Sequence, residues 1–208
     1  MNKGHLEMEV KFCLSDFGAF EQRLRSLGAN LVQPRTFETN LRFDTPKLEL
    51  TKAHRVLRLR SDQSNYLTYK GPAQYGKTVS IRQEFEVEVS DLKTTEELLN
   101  ALGYQVSIRY EKWRTKYHIA NIEIDLDEMP FGKFIEIEGT DPAEIEHTAR
   151  TLALDWNLRI TDSYMMLFER FKKNKHVDLA NLDFESFKDI KSTPDDLGIK
   201  PADIIAYL

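Results

Sequence analysis

The chain has 208 residues with 41% hydrophobic and 30% charged side chains, enough for one domain with a sizeable core. Its formal net charge of −5 argues against a general nucleic-acid binder, which needs a basic surface, although a local basic cluster is still allowed. No apolar run approaches the roughly 20 residues of a membrane span, the start MNKGHLEMEV lacks a signal-peptide pattern, and the single cysteine, Cys13, excludes a disulfide within one chain, so the cytoplasm is the expected address.

Residues 5–13 alternate strictly and predict a first strand, with Glu7, Glu9 and Lys11 on one face and Leu6, Met8, Val10 and Phe12 on the other. A helix follows from the Ser15-Asp16 cap to Gly28. The chain is extended again from Asn30 to Phe43, interrupted at Pro34, and less regular from the Phe43-Asp44-Thr45-Pro46 turn to Lys52. Strands are expected over 54–61 and 66–70, joined by a hairpin, with Arg58, Arg60 and Lys70 facing alike. A loop containing Tyr75-Gly76 leads to a long strand over 78–89, one face of which reads Arg82, Glu84, Glu86, Glu88.

A helix is predicted over Thr94–Leu102 and then extended segments over 104–110 and 112–118, the second showing Lys112, Arg114 and Lys116 together. Strands over 121–128 and 134–138 present Glu123, Asp125, Asp127 and then Glu136, Glu138, with a turn at Pro130 to Lys133 between them. Helices follow from Asp141-Pro142 and over about 162–173, and the remainder shows short helical patches such as 201–207. Trp113, Trp156, Tyr117 and Tyr164 read as packing residues, and His5 shares the face of Glu7. This succession of seven or eight antiparallel strands with helices between them predicts an α+β domain built on a curved sheet or a closed barrel; the long charged rows suit a barrel with a wide, wet interior and its apolar faces outward under helices.

The charged rows admit two readings. One is the wet face of a one-sided sheet. The other is a ligand site, because the rows are sorted by sign and like charges two residues apart repel unless something neutralises them. A triphosphate with a divalent cation would do so: Arg and Lys grip phosphate oxygens, and paired carboxylates hold Mg²⁺ or Mn²⁺.

Glu7-x-Glu9-x-Lys11 resembles the E-x-E-x-K motif of the CYTH superfamily, the triphosphate tunnel metalloenzymes. Phe43 to Pro46, Leu57-Arg58-Leu59-Arg60, Leu67 to Pro72, Arg82-x-Glu84-x-Glu86-x-Glu88, Lys112-x-Arg114, Asp125-x-Asp127-Glu128 and Phe134 to Glu138 follow in the family's order. The resemblance covers about residues 5–170. It implies an eight-stranded antiparallel barrel forming a tunnel with a polar, charged interior and flanking helices, and a CYTH domain over 1–172; the tail, 173–208, lies beyond it and is expected as a C-terminal helical extension that packs over a tunnel mouth, forms an oligomer contact or is a simple appendage.

The resemblance further implies that Lys11, Arg58, Arg60, Lys70, Lys112 and Arg114 hold and activate a triphosphate. Arg82 either joins them or pairs with neighbouring acids. Glu7, Glu9, Glu136 and Glu138, assisted by Asp125 or Asp127, are implied as ligands of Mg²⁺ or Mn²⁺. The expected activity is metal-dependent hydrolysis of a small triphosphate (inorganic, thiamine or nucleoside). The alternatives are a class IV adenylyl cyclase making cyclic AMP and pyrophosphate, and a non-catalytic polyphosphate-binding module. No nucleic-acid or membrane partner is expected, and a homodimer is allowed.

Overall fold

The structure is a computed structural model and describes residues 6–74 and 78–203. Eight antiparallel strands close into a barrel in the order β1-β5-β4-β3-β2-β6-β7-β8. They are β1 (Leu6–Cys13), β2 (Asn30–Asp44), β3 (Val56–Ser61), β4 (Asn65–Lys70), β5 (Ser80–Glu88), β6 (Gln105–Ile119), β7 (Ile122–Met129) and β8 (Gly132–Glu138). The helices are α1 (Phe17–Ser26), α2 (Glu49–Lys52), α3 (Leu92–Ala101), α4 (Pro142–Thr151), α5 (Tyr164–Lys175) and α6 (Phe184–Phe187). None is long and apolar enough to cross a membrane. The expected barrel with its polar interior and outer helices is the fold observed.

Several boundaries differ from expectation. The two extended segments over 104–118 are one strand, β6, because the 15-residue β2 pairs along it. Pro34 does not interrupt β2: register shifts between Leu31 and Thr36 accommodate the missing donor, as bulges do. His54 lies before β3 in a left-handed turn (φ 55°), not on the strand face. Asp91 caps α3 by accepting from Thr94, so that helix begins two residues earlier than its periodicity suggested. Pro201 bridges to Cys13 and is not helical, while 204–207, Tyr75-Gly76 and His5 lie outside the described residues.

The hydrophobic core sits outside the barrel. Val10, Phe12, Ile124, Ile135 and Ile137 point outward and pack beneath Phe20 and Leu24 of α1 and Ile145 and Ala149 of α4. A second cluster joins Phe131 and Phe134 to Leu167, Phe168 and Phe171 of α5 and to Leu182, Phe187 and Leu197. Trp156 is buried as expected; Trp113 instead lies half-buried on the outer wall, with the Arg35 guanidinium 3.9 Å from its ring centroid.

The strands are staggered, which leaves two seams in the wall. β1 pairs with β5 only from Leu6 to Glu9; beyond that, Lys11 exchanges backbone hydrogen bonds with Ile160 (3.0 and 2.7 Å), and Ala202 donates to Cys13 (2.9 Å). β7 pairs with β6 only from Trp113 onward, and the Leu182 backbone bonds to Arg109 and Glu111 (3.0 Å each). The C-terminal segment thus covers exposed strand edges. The Asp203 carboxylate also accepts from the backbone of Ser15 (2.9 Å) and Asp16 (3.0 Å).

Cys13 lies under this cover, and burial, then the Asp203 charge, pushes its thiol up to about 12. A thiol that stays protonated and covered should resist alkylation. Native protein at pH 8 is therefore expected to take up iodoacetamide far more slowly than urea-unfolded protein, as mass spectrometry would show; equal rates would mean that the seam opens.

Candidate active site

Inward positions of all eight strands converge on a cavity of ≈ 380 Å³. Nine basic residues (Lys11, Arg42, Arg58, Arg60, Lys70, Arg82, Lys112, Arg114 and Lys116) and seven acids (Glu7, Glu9, Glu84, Glu86, Glu123, Glu136 and Glu138) line it. The alternation of each strand puts them there, since their neighbours fill the outer core. Asp125 and Asp127 do not reach the cavity surface and lie buried in its wall.

Neighbouring strands pair most of these charges. Lys11 Nζ lies 2.5 Å from Glu9 and 3.2 Å from Glu136. Lys70 contacts Glu7 (2.6 Å) and Glu84 (3.0 Å), and Arg82 contacts Glu7 (2.8 Å) and Glu9 (3.6 Å). Arg60 contacts Glu86 at 2.9 Å, which also lies 3.4 Å from Arg58. Arg114 forms a fork to Asp127 (2.6 Å to each oxygen) and reaches Asp125 at 2.6 Å and Glu136. Lys112 bonds Asp127 at 3.0 Å, and Lys116 bonds Glu123 at 2.8 Å.

Burial raises the cost of each charge, and the partners decide the outcome. Burial would raise the pKa of Glu7, but Lys70 and Arg82 hold it well below the usual carboxylate range. Lys11 would be lowered by burial, yet Glu9 and Glu136 keep it above the usual ammonium range. Glu138 has no cation within ion-pair distance among the described residues. It stands opposite Glu9 on β1 and Glu123 on β7. Burial, followed by the charges of Glu7, Glu9 and Glu123, pushes its carboxyl up to about 8.

The donors available for a metal are carboxylate oxygens, which suit a hard divalent cation such as Mg²⁺ or Mn²⁺. Among the described residues no three acids, histidines or cysteines form a ready-made cluster, because Lys11, Lys70 and Arg82 occupy Glu7, Glu9 and Glu136. The crowded, unneutralised Glu138 fits the demand for a cation.

Some site residues escaped the sequence reading. Glu38 lies between Arg60 (3.7 Å) and Lys112 (3.5 Å), and Arg42 and Tyr110 line the cavity. Their signal was present: Glu38, Asn40 and Arg42 alternate along β2, and Tyr110 continues the row of Lys112, Arg114 and Lys116. Tyr164 is more than a packing residue. Its ring meets Phe134 at 5.2 Å, while its hydroxyl donates to Asp127 at 2.9 Å within the cavity wall. Burial and the Asp127 charge raise the phenol well above its usual range, so it remains a donor. Tyr117 packs on the outer wall and donates to Glu21.

Known proteins share this architecture. Adenylate cyclase CyaB of Aeromonas hydrophila is 27% identical over 139 residues, covering 65% of this chain and 69% of that protein. The structure of a candidate adenylate cyclase from Vibrio parahaemolyticus superimposes with a TM-score of 0.72 at 21% identity, covering 80% of this chain and 99% of that one. HpAC1 from Hippeastrum, a candidate adenylyl cyclase described as having a dominant triphosphatase activity, gives a TM-score of 0.60 at 19% identity, covering 78% and 95%. The family model for the CYTH domain matches residues 5–164, which takes in every barrel strand, and the chain therefore belongs to the CYTH family.

Proposed function

We propose that this protein is a divalent-metal-dependent triphosphatase that hydrolyses a small triphosphate bound in the barrel. The family binds triphosphate-containing substrates and uses divalent metals. The observation that carries the reading is the barrel cavity with nine cationic and seven acidic residues on its wall. Such a surface matches a highly charged anion accompanied by a cation, and it has little apolar lining for anything else.

Lys11, Arg58, Arg60, Lys70, Arg82, Lys112 and Arg114 are the groups we assign to the phosphate oxygens. Glu7, Glu9, Glu136 and Glu138 are those we assign to the metal, with Asp125 and Asp127 acting through Arg114. A bound Mg²⁺ or Mn²⁺ would neutralise charge on the phosphoryl oxygens. Lys11, Lys70 and Arg82 now pair with the very acids assigned to the metal. A triphosphate that draws these cations away leaves Glu7 and Glu9 unneutralised beside Glu138, and Glu136 held by Arg114 alone. Substrate and metal therefore strengthen one another's binding. Arg58 and Arg60, preset by Glu86, align the chain for in-line attack by water.

The relation to CyaB favours a second reading, conversion of ATP to cyclic AMP and pyrophosphate. The two separate by product. Incubation with Mg²⁺ or Mn²⁺ and inorganic triphosphate, thiamine triphosphate or ATP is expected to release orthophosphate and the matching diphosphate. Cyclic AMP with pyrophosphate from ATP would replace hydrolysis by cyclisation and keep the assigned residues. Arg58→Ala should lower kcat/KM by about 10²–10³-fold, as loss of a preset phosphoryl-binding donor does; an unchanged value would remove Arg58 from the site.

A further inference from the structure

Tyr164 opens α5 at the wall of the cavity, behind its Ser163 cap. Its side chain meets residues of four adjacent strands of the barrel. The hydroxyl donates to Asp127 of β7 at 2.9 Å, and the ring packs 5.2 Å from that of Phe134 of β8. The ammonium groups of Lys11 on β1 and Lys112 on β6 stand 5.5 and 5.7 Å from the ring centroid, within reach of its negative face. The Asp127 oxygen that accepts from Tyr164 also accepts from Lys112 at 3.0 Å and Arg114 at 2.6 Å. Lys11, Lys112 and Arg114 are groups we assign to phosphate. As they turn toward a bound phosphate chain, the fully buried Asp127 loses its ion pairs, and the phenol is the neutral donor that stays with it. The ring meanwhile restricts where two flexible ammonium groups can stand.

The contacts that fix the depth of Tyr164 come from a segment beyond the residues the family model matches. Residues 176–203 strap α5 to the barrel. Leu182 bonds to the edge of β6, Ser192 Oγ donates to the Phe131 carbonyl at 2.8 Å, and Ala202 donates to Cys13 at 2.9 Å. Between these anchors the segment grips α5. Phe187 of α6 stands 5.2 Å from Phe171 and 6.1 Å from Phe168, ring to ring. Arg170 donates to the Leu197 carbonyl and Asn174 to that of Asp196, each at 3.0 Å. A close-packed interior transmits strain, so a change at this grip reaches the first turn of the helix.

We propose that Tyr164 is a positioning residue and that the C-terminal segment sets its place through α5. Its hydroxyl keeps Asp127 oriented while Lys112 and Arg114 turn to phosphate, and its ring holds Lys11 and Lys112 at the depth where phosphate oxygens meet them. This rests on the triphosphate lying and reacting in the barrel. Residues 176–203 are then part of the support of the site, not an appendage.

The test compares wild type, Tyr164→Phe and Tyr164→Leu in two measurements with Mg²⁺: consumption of inorganic triphosphate and ATP, and titration with methylene-bridged inorganic triphosphate, which resists cleavage. Phenylalanine keeps the ring and loses the hydroxyl, so kcat is expected to fall about tenfold while affinity for the analogue stays within about twofold. Leucine loses the ring as well, and affinity should then weaken about tenfold. A phenylalanine variant with a lower urea midpoint and an unchanged kcat would make the hydroxyl merely structural. Equal affinities in the two variants would remove the role of the ring. Phe187→Leu, which does not line the cavity, should lower kcat about threefold in the wild type and no further in Tyr164→Phe. Asn174→Ala, at an exposed position, should act in the same direction and serves if the Phe187 variant does not fold. Equal losses in both backgrounds, or none, would overturn the part of the C-terminal segment. Failure of the hydrolase reading looks different: ATP gives cyclic AMP and pyrophosphate, and its consumption keeps the same order among the variants. A chain that binds the analogue and consumes no triphosphate would overturn both that reading and the part of the hydroxyl, and the analogue affinities would still decide the part of the ring.

Discussion

Glu138→Gln is expected to make the metal-free protein more stable and the enzyme inactive. An ordinary glutamate loses its proton near pH 4.5, whereas Glu138 in the fold keeps it to about pH 8, through burial and the neighbouring Glu7, Glu9 and Glu123. The unfolded chain releases that proton first. Stability therefore falls as pH rises between those values, and the full cost is present above pH 8. Glutamine has no proton to lose. In EDTA at pH 8.5 the variant should unfold later than wild type by on the order of 2 kcal/mol, with the difference vanishing below pH 4. Metal-dependent turnover should meanwhile drop by about 10² or more, the pattern of a residue kept at a cost in stability. Urea melts at the two pH values, with phosphate release at saturating metal, decide it. A variant that is less stable at pH 8.5, or fully active, would remove Glu138 from the role of strained metal ligand.

Arg114→Met should do the opposite to stability. Arg114 is buried and satisfies Asp127, Asp125 and Glu136 at once. Deleting it leaves three buried carboxylates with only Lys11, Lys112 and Lys116 nearby. Breaking a buried charge network in this way costs about 3–5 kcal/mol. The variant should show a lower urea midpoint with an unchanged slope, and no measurable turnover. Adding Asp127→Asn removes one of the stranded charges and should recover part of the loss. A single variant as stable as wild type would mean that these acids are neutralised some other way.

Much of this was legible in the sequence because strand alternation is a local property. Glu7-x-Glu9-x-Lys11, Arg58-x-Arg60 and Lys112-x-Arg114-x-Lys116 each announce which face is charged, and all of these residues line the cavity. Boundaries were harder. β6 was divided in two since nothing local shows that its far half is held by β2 and its edge by Leu182. Asp125 and Asp127 looked equivalent to the other acids of their rows, yet depth in the wall separates them from the cavity. Tyr164 lies in a helical stretch, where nothing indicates that its hydroxyl reaches Asp127, 37 residues away.

The sequence by itself determined the barrel, the family and the charged inner face, since period-two patterning and ordered motifs survive in one dimension. Only the tertiary structure decided which charges neutralise which. Lys70 meets Glu7 across 63 residues and Arg82 meets it across 75, while Arg42 and Glu138 are left without counterions among the described residues. Ion-pair energy depends on distance and on exclusion of water, and both are set by strand register and closure of the barrel, not by neighbours along the chain.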